Sequence, residues 1–197
     1  MSPRSLTQQE KDQQFNKIIA KGKEVLARYG LQKTSVEDIV KAAGIAKGTF
    51  YVHFRSKEEF VLRVLYDFHE SYLLKAERLV TEHSRLPLKE RLRDFIKNMF
   101  TNPDTMFFLQ NHEELSVVLS NTTHEQKTSI ENYELTMYAR ILDIAGIDQR
   151  IVKPEIVHNY IHILYFGYCY KDIMLREYLD ETIDILLDGF INYIFRE

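Results

Sequence analysis

Apolar positions recur every three to four residues from near the start of this chain to near its end. No stretch alternates with the period of two that a half-buried strand shows. The pattern predicts an all-α protein. A first helix runs from about residue 9 to Tyr29, with Phe15, Ile18, Ile19, Val25, Leu26 and Tyr29 on one stripe and Gly30 as its stop. Thr34 and Glu37 have capping-box spacing and open a second helix, with Val36, Ile39, Val40 and Ala43 inward and Gly44 at its end. A short third helix covers about Lys47 to Val52. Ser56 and Glu59 repeat the capping-box spacing at the start of a long fourth helix to about His83, with Phe60, Val64, Leu65, Phe68 and Tyr72 on one side.

Pro87 suits the first position of a fifth helix to about Thr101. Asn102, Pro103 and Asp104 open a sixth, to about Leu119. A polar break from Ser120 to His124 precedes a seventh over roughly 125–145, closed by Gly146. Lys153, Pro154 and Glu155 start an eighth to about Tyr178, and Asp180 caps a ninth to Phe195. Three helices thus form an N-terminal head, residues 1–55, and six form a body, residues 56–197. No internal repeat, low-complexity tract or flexible linker interrupts them.

Composition narrows the class. With 45% hydrophobic and 28% charged residues over 197 positions, the chain reads as an ordinary globular protein with enough length for a sizeable core. The lone Cys169 allows no intramolecular disulfide, which fits a reducing compartment. The first residues are polar and lack a secretory apolar run, and no apolar run approaches the roughly 18 residues of a spanning helix. The expectation is a cytoplasmic protein without a membrane partner. Charge is uneven: residues 1–60 hold eleven Lys/Arg against seven Asp/Glu, and the remainder fifteen against twenty-two. A basic segment on an acidic body is the footprint of a small nucleic-acid-binding head.

The residues of the third helix suit the major groove of double-stranded DNA. Gly48 lets backbone approach a base edge. Lys47 and Thr49 flank it with a cation and a hydroxyl, and Tyr51 and His53 bring ring donors to the far end. Lys57 lies in the first turn of the fourth helix, and Thr34 and Ser35 at the start of the second, beside helix N-termini that attract phosphate. Phe50 and Phe54, four apart, belong inside.

These residues resemble the tetracycline-repressor (TetR) family of transcriptional regulators over about Ile18 to Leu65. The resemblance is carried by Thr34, Ser35, Val36, Asp38, Ile39, Val40, Ala43, Gly44 and Ile45, by Lys47, Gly48, Thr49, Phe50, Tyr51, His53 and Phe54, and by Ser56, Lys57 and Glu58, in order and at this spacing. It implies a homodimer with a three-helix DNA-binding head, an effector pocket in the body, and pairing of the eighth and ninth helices across a two-fold axis. By position, Lys47, Gly48, Thr49 and Tyr51 match base-contacting residues, and Thr34, Ser35, His53 and Lys57 match phosphate contacts, with Tyr51 able to serve either group. Ala46 departs from the family's common capping Ser, and Val52 from a common polar or aromatic residue, so the operator sequence is not given.

Eighteen of the twenty-four aromatic residues lie after residue 60. Candidate lining for a small, mostly apolar effector is Phe95, Met99, Met106, Phe107, Leu109, Tyr133, Met137, Tyr138, His162 and Phe166. The last two helices are more apolar than one inward stripe requires, so Tyr165, Tyr168, Leu187, Phe190, Ile191 and Ile194 are expected at a dimer interface. His158 and His162 share a helix face, and His112 or Glu113 are the third ligands a metal would need. Two histidines hydrogen-bonded at a helix interface is the favoured reading, and no metal or cofactor is expected. Cys169 reads as a small buried hydrophobe. No Gly-x-Ser-x-Gly elbow or other catalytic motif supports an enzyme. The expected function is a repressor released from a palindromic operator by a small molecule. The alternatives are an architectural DNA-binding protein without an effector, and a helical enzyme.

Overall fold

The computed structural model describes residues 7–100 and 102–196. Among the described residues there are ten α-helices, one short 3-10 helix and no strand. None of the helices is long and apolar enough to cross a membrane. The chain divides into two compact units, one of residues 7–67 with 113–121, the other of residues 68–112 with 122–196.

In the first unit, α1 (Gln8–Tyr29) starts from a reciprocal box: Thr7 Oγ1 accepts from the Glu10 amide, and the Glu10 carboxylate accepts from the Thr7 amide at 2.7 Å. Helix α2 (Val36–Ala43) starts one residue later than the Thr34–Glu37 spacing predicts. Ser35 is its N-cap and Asp38 closes the box. Thr34 is buried instead, because its hydroxyl donates to the part-buried Gly30 carbonyl at 2.7 Å. Gly44 takes the left-handed conformation, with φ of 61°, and the Ile45 amide then reaches back to Val40 O at 3.0 Å. Helix α3 (Lys47–His53) and the beginning of α4 (Lys57–Thr81) follow. Ser56 Oγ accepts from the Glu59 amide at 3.2 Å, while the Glu59 carboxylate accepts from the Arg55 amide rather than from Ser56.

The core of this unit is aromatic. Phe50 and Phe60 are fully buried and Phe54 nearly so, with ring centroids of 5.3–5.9 Å between each pair. Phe15 of α1 stacks on Phe54 at 5.4 Å. The Phe60 ring lies directly against the backbone of Gly22, in the middle of α1, where a Cβ would overlap its Cζ and Cε2.

In the second unit the predicted sixth helix is two: α6 (Pro103–Gln110) and α7 (His112–Ser120), the latter belonging from Glu113 to the first unit. At the break, Phe107 O accepts both the Asn111 amide at 3.1 Å and the Asn111 Nδ2 at 2.7 Å, and His112 Nδ1 sits 2.9 Å from Leu109 O, the carbonyl that a continuous helix would give to residue 113. Helix α5 (Leu88–Met99) has Pro87 as its N-cap rather than its first residue, and its expected end at Thr101 lies outside the described residues. Helix α8 (His124–Ile144) opens on a Thr123–Gln126 box. Helix α9 (Pro154–Cys169) ends well before Tyr178. A 3-10 turn (Lys171–Ile173) follows, and α10 (Arg176–Ile194) then includes Asp180 in its interior. Leu175 caps α10 without a side-chain bond, so the break carries no capping signature that sequence spacing reveals.

The core of the second unit gathers α5, α9 and α10 around Ile96, Phe100, Leu164, Ile183 and Leu187. Four residues expected at a dimer interface belong to this core. Leu187, Phe190, Ile191 and Ile194 form the single inward stripe of α10 and are at most 4% exposed, so they have no surface left for a partner. Tyr165 donates to Phe108 O at 3.3 Å and Tyr168 lies flat on Phe100 at 4.7 Å, so these two also face their own chain. Across the α5–α10 seam, Arg93 bonds Asp184 and Asp188, and Lys97 bonds Asp184 at 2.7 Å.

Replacing Gly22 with Ala raises intrinsic helix propensity by about 1 kcal/mol, yet the overlap with Phe60 is expected to outweigh that gain. Gly22→Ala should lower stability by about 1–3 kcal/mol, read from the urea midpoint. A midpoint equal to or above wild type would show that Phe60 does not seat on this glycine.

Candidate nucleic-acid interface

Helix α3 is short, and its orientation is set from beneath. Phe50 and the following Phe54 point into the aromatic core, so the opposite face turns outward. On that face Tyr51 and Val52 are exposed, at 48% and 70%, and Gly48 has open space where a side chain would stand. Lys47 and Gly48 are exposed and Thr49 is half-buried beside them. Ala46 caps the helix without a side-chain hydrogen bond. A rigid short helix with a bare backbone position, a phenol and a branched apolar side chain on one exposed face can enter a groove and meet both hydrogen-bonding base edges and a thymine methyl.

The polar residues around α3 are more committed than the sequence conveys. Lys47 Nζ donates to Glu37 of α2, which holds the Glu37 carboxyl below the usual carboxylate range and raises Lys47. Lys57 Nζ donates to the carbonyls of Leu31 at 2.9 Å and Thr34 at 3.1 Å, tying the turn between α1 and α2 to the first turn of α4. Ser35 Oγ donates to Asp38 at 2.6 Å, and that bond together with the Ser35 amide keeps the Asp38 carboxyl low. His53 packs edge-on against Phe15 at 5.9 Å. The structure therefore brings Ser35, Lys47, Gly48, Thr49, Tyr51, His53 and Lys57 into one unit, but Thr34 is sealed inside it. What spacing could not show is that Glu37 and the two loop carbonyls compete for the lysines.

In the second unit a cleft of about 460 Å³ is lined by Tyr72, Lys75, Leu79, Arg91, Asp94, Phe95 and Met99, among others. Of the ten residues expected to line an effector site, Phe95 and Met99 line this cleft. Leu109 is buried in the core, and Met106 and Tyr138 pack against it. Phe107 lies edge-on to Phe108, and Phe166 is 55% exposed on α9. Tyr133 and Met137 are half-buried on α8. His162 lies beside His158 and Glu134. The cleft is also more charged than expected: Lys75, Arg91 and Asp94 stand over an apolar floor of Tyr72, Leu79, Phe95 and Met99.

Comparison with known proteins accords with this geometry. Residues 18–64 match the family described as bacterial regulatory proteins, tetR family. An HTH-type transcriptional regulator of Bacillus subtilis, YvdT, is 32% identical over 127 residues, 63% of this chain and 59% of that one. The fatty acid metabolism regulator protein of the same organism is 28% identical over 134 residues, 68% of this chain and 66% of that one. The chain thus spans a little more than half the length of the first curated relatives it matches. Among solved structures, a TetR-family transcriptional regulator from Pectobacterium atrosepticum superposes with a TM-score of 0.67 over 98% of this chain and 99% of that one, at 15% identity. The regulator FadR of Bacillus subtilis, in complex with stearoyl-CoA, gives 0.54 over 89% and 98%, at 21% identity. At such identities the likeness establishes a shared fold. Residues 18–64 thus match the tetR family of bacterial regulatory proteins, and the all-helical fold is shared almost end to end with a solved TetR-family regulator.

Proposed function

We propose that this protein is a homodimeric transcriptional repressor of the cytoplasm, released from a palindromic operator by a small effector. The observation that carries the DNA-binding half is the outward face of α3: Gly48, Tyr51 and Val52 exposed over a helix anchored by Phe50 and Phe54. Residues 1–55 are the DNA-binding head and residues 56–197 the ligand-binding and dimerisation domain. Gly48 and Thr49 meet base edges, with Tyr51 at a base or the backbone. Lys47 is freed from Glu37 or shared with it on docking, and Ser35, His53 and Lys57 face phosphates. Thr34 contributes by shaping the turn. Two heads of a dimer would address half-sites about 34–36 Å apart.

The dimer face is drawn from what the chain leaves uncovered. Ile163 and Phe166 line an exposed stripe of α9, continued by Tyr170 at its C-cap, and Tyr178, Ile185 and Leu186 one of α10. These are the apolar residues in excess of the inward stripes, and they suit an isologous interface. The effector site is the cleft against α4. Its apolar floor and the charged Lys75 and Arg91 suit an amphiphile with an acidic end, the chemical class of the acyl-CoA bound by the Bacillus subtilis neighbour. Its volume fits a small member of that class. Tyr72, Lys75 and Leu79 lie on α4, the helix that begins in the head, so occupancy of the cleft has a covalent route to the DNA-binding unit. A coupling of about 1–3 kcal/mol would lower operator affinity roughly 5- to 150-fold.

Gly48→Trp should fold normally, since nothing lies within 4 Å of the added Cβ, and should abolish specific binding to an operator selected from random duplexes. Affinity retained in fluorescence anisotropy would remove α3 from the groove. Phe166→Glu should convert the dimer to a folded monomer in sedimentation velocity. Leu187→Ala should instead leave assembly intact and cost about 2–5 kcal/mol of stability. A dimer unaffected by Phe166→Glu, combined with dissociation by Leu187→Ala, would reverse the assignment of faces.

A further inference from the structure

Between α4, α8 and α9 the second unit holds a group of polar side chains that the reading above does not use. The Glu134 carboxylate is 5% exposed. Among the described residues its ion-pair partners are imidazoles, not lysines or arginines: His69 Nδ1 on Oε1, and His158 Nδ1 at 3.0 Å from Oε2. Burial of an ionised carboxylate is costly unless opposite charge compensates it. Burial raises the Glu134 carboxyl, but the hydrogen bond and charge of His69, then His162 and His158, outweigh it, and the group stays below its ordinary range. His158 moves toward the neutral form, first through burial and then through His162. A buried carboxylate therefore sits against imidazoles from two other helices.

Imidazoles beside a carboxylate are a donor set. His158 and His162 stack with ring centroids 4.2 Å apart. His162 Nδ1 lies 3.0 Å from the His158 carbonyl. That bond requires the proton on Nδ1 and leaves the Nε2 lone pair available. His158 Nδ1 is buried and makes no hydrogen bond, although Glu134 Oε2 is close, because the direction is wrong for one. One donor atom each from Glu134, His158 and His162 lies within 4.8 Å of the others. Metal–donor distances of about 2.0–2.2 Å require such atoms to stand roughly 3.3–3.5 Å apart, a closure that side-chain rotation supplies. His69 completes the arrangement from outside, since its Nδ1–H donates to the carboxylate oxygen opposite the one facing His158. The His69 and His158 side chains are partly exposed, so the group is within reach of solvent.

We propose that Glu134, His158 and His162 bind one divalent transition cation of the zinc class, with His69 as the positioning residue that orients Glu134. Two imidazoles and a carboxylate with a position left for water suit zinc, cobalt or nickel rather than magnesium or calcium, which favour all-oxygen shells. The site is separate from the cleft lined by Phe95 and Met99, and its existence does not depend on the effector proposed above.

The test uses the full chain, tag removed and treated with chelator, titrated with Co²⁺ and followed by visible absorption. The expected result is uptake of one Co²⁺ per chain with the absorption of a four- or five-coordinate nitrogen–oxygen site, displaced by Zn²⁺ and not by Mg²⁺. His162→Gln and Glu134→Gln should each weaken Co²⁺ binding more than 100-fold, and His69→Gln about 10- to 100-fold. His124→Ala, at the exposed start of α8, should leave it unchanged. Circular dichroism identifies any variant that fails to fold, and the wild-type titration then decides alone. Absence of stoichiometric Co²⁺ or Zn²⁺ uptake by the wild type, or unchanged affinity in a folded His158→Gln, His162→Gln double variant, overturns the proposal.

Discussion

The seating of Phe60 on Gly22 is the contact on which the head is built. Phe60 belongs to the first turn of α4, Gly22 to the middle of α1, and the absence of a side chain at residue 22 lets ring and backbone meet. Phe50 and Phe54 pack on the same ring, so the inward half of α3 is fixed by the same cluster. A seven-residue helix has too few internal hydrogen bonds to be stable alone. Its direction comes from these rings, and the exposure of Gly48, Tyr51 and Val52 follows because Phe50 and Phe54 cannot face both ways.

Polar residues of the head serve a second constraint, the satisfaction of main-chain groups between helices. Thr34 and Lys57 both answer carbonyls left over near the end of α1: Thr34 takes Gly30 O, and Lys57 takes Leu31 O and Thr34 O. A motif that looks like a set of DNA contacts is therefore also the scaffold that shapes the turn before α2. The Lys57 ammonium has three donors, so holding these carbonyls would still let it meet a phosphate in the proposed complex. Thr34 has one hydroxyl proton, and the inside of the protein uses it.

The second unit solves a different problem. Its apolar residues form inward stripes on α5, α9 and α10 and leave further apolar stripes on the outside of α9 and α10. Among the described residues its one deeply buried carboxylate, Glu134, is paired with imidazoles rather than with a lysine or arginine.

The sequence by itself determined the all-helical class, most helix starts, the inward direction of Phe50 and Phe54, and the helix-turn-helix identity of residues 18–64. Those features are local: capping groups, glycine stops and a period near 3.6 act within a few residues. Tertiary structure decided the rest. It broke the predicted sixth helix at Asn111, where the following His112 ring meets the Leu109 carbonyl, and ended α9 at Cys169, where no glycine, proline or capping side chain marks the turn. It moved Leu187, Phe190, Ile191 and Ile194 from a supposed partner face into the core, because an excess of apolar residues says how much surface must be covered but not which stripe the chain covers itself. It also brought Glu134 to His69, His158 and His162 from three separate helices, a meeting that no spacing along one helix encodes.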